Sequence, residues 1–111
     1  MLQQILKGTK MSKSKIKLPN EEIAAFCKKN HIRKLSLFGS VLRDDFGPFS
    51  DLDFLVEFEK DKTPGLIGLS RMERELSAIL NGRKIDLRTP QDLSKYFRND
   101  VLAHAEVQYA A

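Results

Sequence analysis

The sequence predicts an α/β (α+β) domain in which a small mixed β-sheet carries helices packed on it. Two stretches, Ile32 to Phe38 and Asp51 to Phe58, alternate apolar and polar residues at the two-residue period of a strand. Between Leu66 and Leu80 the apolar residues Leu66, Leu69, Met72, Leu76, Ile79 and Leu80 are spaced three, three, four, three and one apart, the stripe of an amphipathic helix. Helical and extended segments alternate along 111 residues, which is enough chain for one core and too little for two ordinary domains.

Taken in order, Leu18-Pro19-Asn20-Glu21-Glu22 reads as a helix start, with Asn20 capping free backbone N–H groups and two glutamates in the first turn, where the dipole favours them. Ile23, Phe26 and Cys27 form the inward stripe, and Asn30-His31 ends the helix. The first strand follows, with Leu35 and Leu37 inward, and Gly39-Ser40 breaks it before one or two helical turns over Val41 to Asp44. In the second strand Leu52, Phe54, Val56 and Phe58 share the core face, while Asp51, Asp53, Leu55 and Glu57 share the other. Asn81-Gly82 stops the amphipathic helix, Lys84 to Leu87 makes a short strand, and Thr89-Pro90 opens a final helix bearing Leu93, Phe97, Val101 and Leu102.

The net charge of +4 is carried by the first residues: Lys7, Lys10, Lys13, Lys15 and Lys17 all precede the first acid, Glu21. Residues 1–17 read as a basic, poorly ordered leader and 18–111 as the folded domain; Met11 is a second candidate start. Without the leader lysines the chain holds 14 basic and 15 acidic residues, so nucleic acid is not an expected partner except through the leader. A single cysteine allows no internal disulfide and no cysteine-based zinc site, and no apolar run is long enough for a signal peptide or a membrane span. The expected location is the cytoplasm.

Aspartate is disfavoured in strands, so two of them inside a strand that is otherwise apolar call for a reason. Asp51 and Asp53 leave one face about 6.6 Å apart along the backbone, close enough to converge on a cation such as Mg²⁺, and Asp86 points away from the core on a separate strand between Ile85 and Leu87. Upstream, Gly39-Ser40 lies between a strand and a helical turn, where backbone N–H groups can receive an anion, Ser40 adds a hydroxyl, and Arg43 lies one turn further on. The plain alternative for the acids is a strand with one solvated face. His31 and His104 stand alone in sequence, Cys27 reads as a small core residue, Phe46 and Phe49 as loop packing, and Arg83, Lys84 and Arg88 as solvated charges of an edge strand or phosphate contacts.

The combination of Gly39-Ser40, ten intervening residues, Asp51-x-Asp53, and Asp86 further on resembles the signature of the DNA polymerase β-like nucleotidyltransferases. From about Ile23 to Tyr109 the chain is similar to the minimal nucleotidyltransferases, the MntA-type antitoxins that accompany HEPN-domain toxins of the HepT type. Leu37 to Arg43, Ser50 to Val56, Gly82 to Leu87 and Ala103 to Tyr109 carry the likeness; the leader has no counterpart in it. The resemblance implies transfer of AMP from ATP to a hydroxyl of a partner HEPN-type ribonuclease toxin, a tyrosine, within a hetero-oligomer. It implies two Mg²⁺ ions held by Asp51, Asp53 and Asp86, with Asp86 also helping to deprotonate the hydroxyl, and a nucleotide held by Gly39, Ser40, Arg43 and Ser50. Two other functions compete with it: an antitoxin that blocks its toxin sterically without catalysis, and nucleotidyl transfer to a small molecule such as an aminoglycoside.

Overall fold

Pro19 opens the first helix because its extended backbone (φ −76°, ψ 95°) places its carbonyl to accept from the Ile23 N–H at 3.0 Å. This computed structural model describes residues 16–42, 47 and 50–111, with Ser40 in its backbone only; the leader up to residue 15, Arg43, Phe46 and Phe49 lie outside the described residues. Helix α1 runs Asn20–Lys29, so Asn20 is its first residue rather than its cap, and no side chain caps this end. Glu21 and Glu22 occupy the first turn and Lys28 and Lys29 the last, matching the helix dipole at both ends. Ile23, Phe26 and Cys27 are buried.

Strand β1 (Ile32–Phe38) is followed by a single 3₁₀ turn, Gly39–Leu42, and strand β2 covers Leu52–Phe58. Helix α2 (Leu66–Ile79) ends in a Schellman motif: the Gly82 N–H bonds to the Ser77 carbonyl at 2.8 Å, the Asn81 N–H to that of Ala78 at 3.4 Å, and Asn81 takes the left-handed conformation (φ 63°). Strand β3 (Ile85–Arg88), a 3₁₀ turn (Pro90–Asp92), helix α3 (Arg98–His104) and strand β4 (Glu106–Ala110) complete the chain. The four strands lie in the order β3-β2-β1-β4; β1 is antiparallel to β2 and β4, and β2 is parallel to β3. A small mixed sheet carrying helices, as the alternation of segments predicted, is the result.

One face of the sheet presents Leu35, Leu37, Leu52, Phe54, Val56, Ile85 and Leu87 to Ile23, Phe26, Met72 and Leu76 of α1 and α2. Each such side chain taken fully out of water contributes about 1.5–3 kcal/mol, so this face holds the fold together. On the aspartate-bearing face Leu55 and Ser36 are each only 2% exposed, so this face is covered there rather than solvated throughout. The exposed edge of β3 is blunted by Glu73 of α2, whose carboxylate accepts from the Leu87 N–H at 2.9 Å. No helix among the described residues is long and apolar enough to cross a membrane.

Three expectations about packing fail. Leu66 is 85% exposed, as is most of its neighbour Ile67, because residue spacing gives the angular position of a side chain but not where along the helix the sheet ends. The final helix does not run unbroken from Pro90: Leu93 is extended (ψ 142°), and the Arg98 guanidinium donates to the carbonyls of Pro90 and Leu93 that a continuous helix would have used internally. Phe97 and Leu102 are consequently exposed, and Val107 and Tyr109 belong to β4, a strand whose two-residue alternation lies directly behind an alanine-containing helix end.

Burial pushes the Cys27 thiol up from 9.0 to about 12. Above pH 9 the unfolded chain releases this proton while the native chain keeps it, so stability falls by about 1.4 kcal/mol per pH unit toward pH 12. Cys27→Ala removes that slope; the gap between wild-type and variant unfolding free energies, followed by denaturant titration at stepped pH, should open in the variant's favour only above about pH 9.

Candidate active site

The register between β2 and β3 decides the site. The Leu52 N–H bonds to the Lys84 carbonyl at 2.9 Å, and from there Leu52 lies beside Ile85, Asp53 beside Asp86 and Phe54 beside Leu87. Ile85 and Leu87 are buried on the helix side, so Asp86 faces the other way, on the face that Asp53 occupies in the neighbouring strand. Adjacent strands lie about 4.8 Å apart, which makes Asp53 and Asp86 immediate lateral neighbours. Asp51 stands two residues before Asp53, at the mouth of the same face, with its side chain 45% exposed.

The end of β1 closes on this pair. Phe38 is the register partner of Asp53, and at Gly39 the chain turns with φ +78°, in the left-handed region that glycine enters without strain. A Cβ on Gly39 would stand 2.3 Å from Oδ2 of Asp53, so the carboxylate packs directly over the glycine backbone. The Gly-Ser turn and the Asp-x-Asp strand, separated by ten residues in sequence, are thus in contact. Ser40 follows in the 3₁₀ turn; its side chain and all of Arg43 lie outside the described residues.

Ser50 shapes the entry to β2. Its hydroxyl accepts from the Gly47 N–H at 3.0 Å, and its own N–H donates to the Gly47 carbonyl at 3.1 Å. That carbonyl also accepts from the Arg83 guanidinium at 2.8 Å, while the Arg83 carbonyl accepts from the Ser77 hydroxyl at 2.6 Å. Arg83, which the sequence suggested as a solvated charge or a phosphate contact, therefore braces the loop before Asp51 against the end of α2. No local signal in the sequence points to this, because the bond joins residues 36 positions apart.

Two cations, one on β3 and one just before it, meet the acids. Arg88 Nε donates to Oδ2 of Asp86 at 3.1 Å, and Lys84 Nζ lies 3.8 Å from Oδ2 of Asp51. The two histidines stay with their own neighbours, His31 near Glu59 and His104 near Asp100. Among the described residues no three acidic, histidine or cysteine side chains already close into a metal cage. The donor chemistry nevertheless fits a hard divalent cation: Asp51, Asp53 and Asp86 offer only carboxylate oxygens, and two of them are like-charged neighbours that a cation between them would stabilise.

The model of the family described as "Nucleotidyltransferase domain" matches residues 21–107, a span that holds the Gly-Ser turn and all three aspartates. The chain belongs to that family. As a nucleotidyltransferase it is 32% identical over 77 residues to the Methanocaldococcus jannaschii protein named "Putative protein adenylyltransferase MJ0435", covering 69% of this chain and 80% of that one. It is 34% identical over 71 residues to the protein adenylyltransferase MntA of Thermococcus cleftensis, covering 64% of this chain and 69% of the relative. Among solved structures, its fold resembles a chain of a toxin–antitoxin crystal structure with AMP-PNP, at a TM-score of 0.68 and 20% identity over 85% of this chain and 75% of that one. It also resembles a chain in the complex of tri-AMPylated Shewanella oneidensis HEPN toxin with its MNT antitoxin, at a TM-score of 0.60 and 19% identity over 83% and 70% of the two chains. The minimal nucleotidyltransferase fold that the Gly-Ser and Asp-x-Asp motifs implied is the fold of this nucleotidyltransferase.

Proposed function

We propose that this nucleotidyltransferase transfers AMP from ATP to a tyrosine hydroxyl of a partner HEPN-type toxin and thereby acts as its antitoxin. The observation that carries the reading is the meeting of three sequence-distant segments, with Asp86 beside Asp53 and Asp53 packed on Gly39. The names of its adenylyltransferase relatives and of the AMPylated toxin complex support the choice of acceptor class. Asp51, Asp53 and Asp86 would hold two Mg²⁺ ions, which when bound supply charge neutralisation on the triphosphate and on the departing pyrophosphate.

The remaining work falls to the chain's own groups. The backbone of Gly39, the Ser40 hydroxyl and Arg43 bind the β and γ phosphates, and the Ser50 hydroxyl, which accepts from Gly47, keeps its own proton free to donate to a phosphate oxygen. The Asp86 carboxylate accepts the proton of the attacking hydroxyl. Holding both reactants against one face turns the transfer into an effectively unimolecular step. Exposed Tyr96, Phe97, Leu102 and Val107 offer apolar surface for a partner in a hetero-oligomer.

Incubating the protein with a HEPN-type toxin, Mg²⁺ and ATP should add one or more AMP groups to the toxin, seen by intact-mass measurement, with peptide mapping placing them on tyrosine. A toxin mass that stays unchanged while toxicity is still suppressed would instead support steric blocking.

A further inference from the structure

Along β3 and the residue just before it, Lys84, Asp86 and Arg88 follow one another at the two-residue period, so cation, acid and cation share the face that carries the site. Asp86 and Arg88 have Asp53 and Leu55 as register partners on β2, and Lys84 lies beside Asp51, each just ahead of its strand. The central pair is two acids, and like charges directly opposite each other on adjacent strands are destabilising. The cations flank that pair, Arg88 reaching back to Asp86 at 3.1 Å and Lys84 across to Asp51, the third acid, at 3.8 Å. Both are long, flexible side chains and remain open to water, with 48% of the Arg88 side chain and 80% of the Lys84 side chain exposed. Neither is locked into a buried ion pair, and Leu55, the register partner of Arg88, offers no alternative charge.

We infer that Lys84 and Arg88 act as positioning residues that stand in for the divalent cations while the site is empty and pass to the triphosphate when the metal–nucleotide complex enters. The inference rests on the reading that Asp51, Asp53 and Asp86 hold metal. A guanidinium on the Asp86 carboxylate competes with a metal ion for the same oxygens, so metal alone binds weakly. Once a nucleoside triphosphate is present, its oxygens offer Arg88 a denser anionic partner of matching fork geometry, and Lys84 a point-charge contact. The result is ordered binding that favours metal and nucleotide together over free metal, which keeps the acids from being occupied unproductively.

The two halves of this device move affinity in opposite directions, which a purely structural ion pair would not do. In calorimetric titrations of the full chain, Arg88→Gln is expected to bind Mn²⁺ alone about two- to fivefold more tightly than wild type, the scale of an exposed ion pair. The same variant is expected to bind Mg²⁺·AMP-PNP about tenfold more weakly, through loss of a charged phosphate contact. Lys84→Gln should show the same signs with smaller size. Unchanged or weaker Mn²⁺ binding in both variants overturns the inference, and so does tighter Mn²⁺ binding with undiminished nucleotide affinity. Asp86→Asn serves as the control: if it binds Mn²⁺ as wild type does, the metal assignment itself fails and the inference with it. If Asp86→Asn loses Mn²⁺ while Arg88→Gln and Lys84→Gln leave its affinity unmoved, the metal reading stands and only the stand-in role is refuted.

Discussion

Replacing Asp51 and Asp53 together by asparagine is expected to cut AMP transfer by about a thousandfold or more and to leave the fold intact. On the proposed function the two carboxylates hold the cations that neutralise charge on the triphosphate, and losing each of them would cost several kcal/mol in the transition state. The fold survives because both residues sit on the sheet face away from the helix-covered core, and Asp53 stands beside Asp86, so the change relieves a like-charge contact rather than opening a cavity. Labelling of a partner toxin with α-³²P ATP reports the first effect and far-ultraviolet circular dichroism with a thermal melt reports the second. Undiminished labelling would remove Asp51 and Asp53 from the chemistry.

Gly39→Ala should damage both stability and activity, and a paired substitution separates the two. At φ +78° an alanine costs about 1–2 kcal/mol in backbone strain, and its Cβ would fall 2.3 Å from the Asp53 carboxylate, so the acid must leave its place. A displacement of that size in a reacting centre is worth about a hundredfold in rate. Gly82 has a similar backbone (φ +84°), but a Cβ there would meet nothing within 4 Å. Gly82→Ala is therefore expected to lower stability by a comparable amount and to leave transfer as it was. Equal activities in the two variants, measured at matched folded fractions, would mean that the Gly39–Asp53 contact has no part in catalysis.

The legible parts of the sequence were those where local pattern and tertiary demand coincide. Ile32 to Phe38 reads as a strand because its inward residues, Leu35 and Leu37, meet the helices that cover them, and Asn81-Gly82 reads as a stop because the Schellman motif needs only residues within one helix end. Leu66 and the unbroken helix expected from Pro90 to Leu102 depart from the sequence pattern for the opposite reason. A helical stripe at Leu66 says nothing of the length of sheet beneath it, and the helix expected across Leu93 gives way to side-chain hydrogen bonds from Arg98. The fourth strand was hidden because Val107 and Tyr109 form only a short alternating run; pairing with β1 at an open sheet edge makes it a strand.

For the site, the sequence by itself determined the kinds of group: acids at alternate positions of a strand, a third acid between two apolar residues, and a glycine-serine break, together enough to name the family. Whether those groups meet was decided only in three dimensions. The hydrogen bond from Leu52 to Lys84 sets a parallel register in which Asp53 falls beside Asp86, and slipping it by one residue would turn one acid into the core. The brace from Arg83 to Gly47 and the contact of Asp53 with Gly39 likewise join residues far apart along the chain. Spacing within a segment fixes which face a side chain takes; only the pairing of segments fixes what stands opposite it.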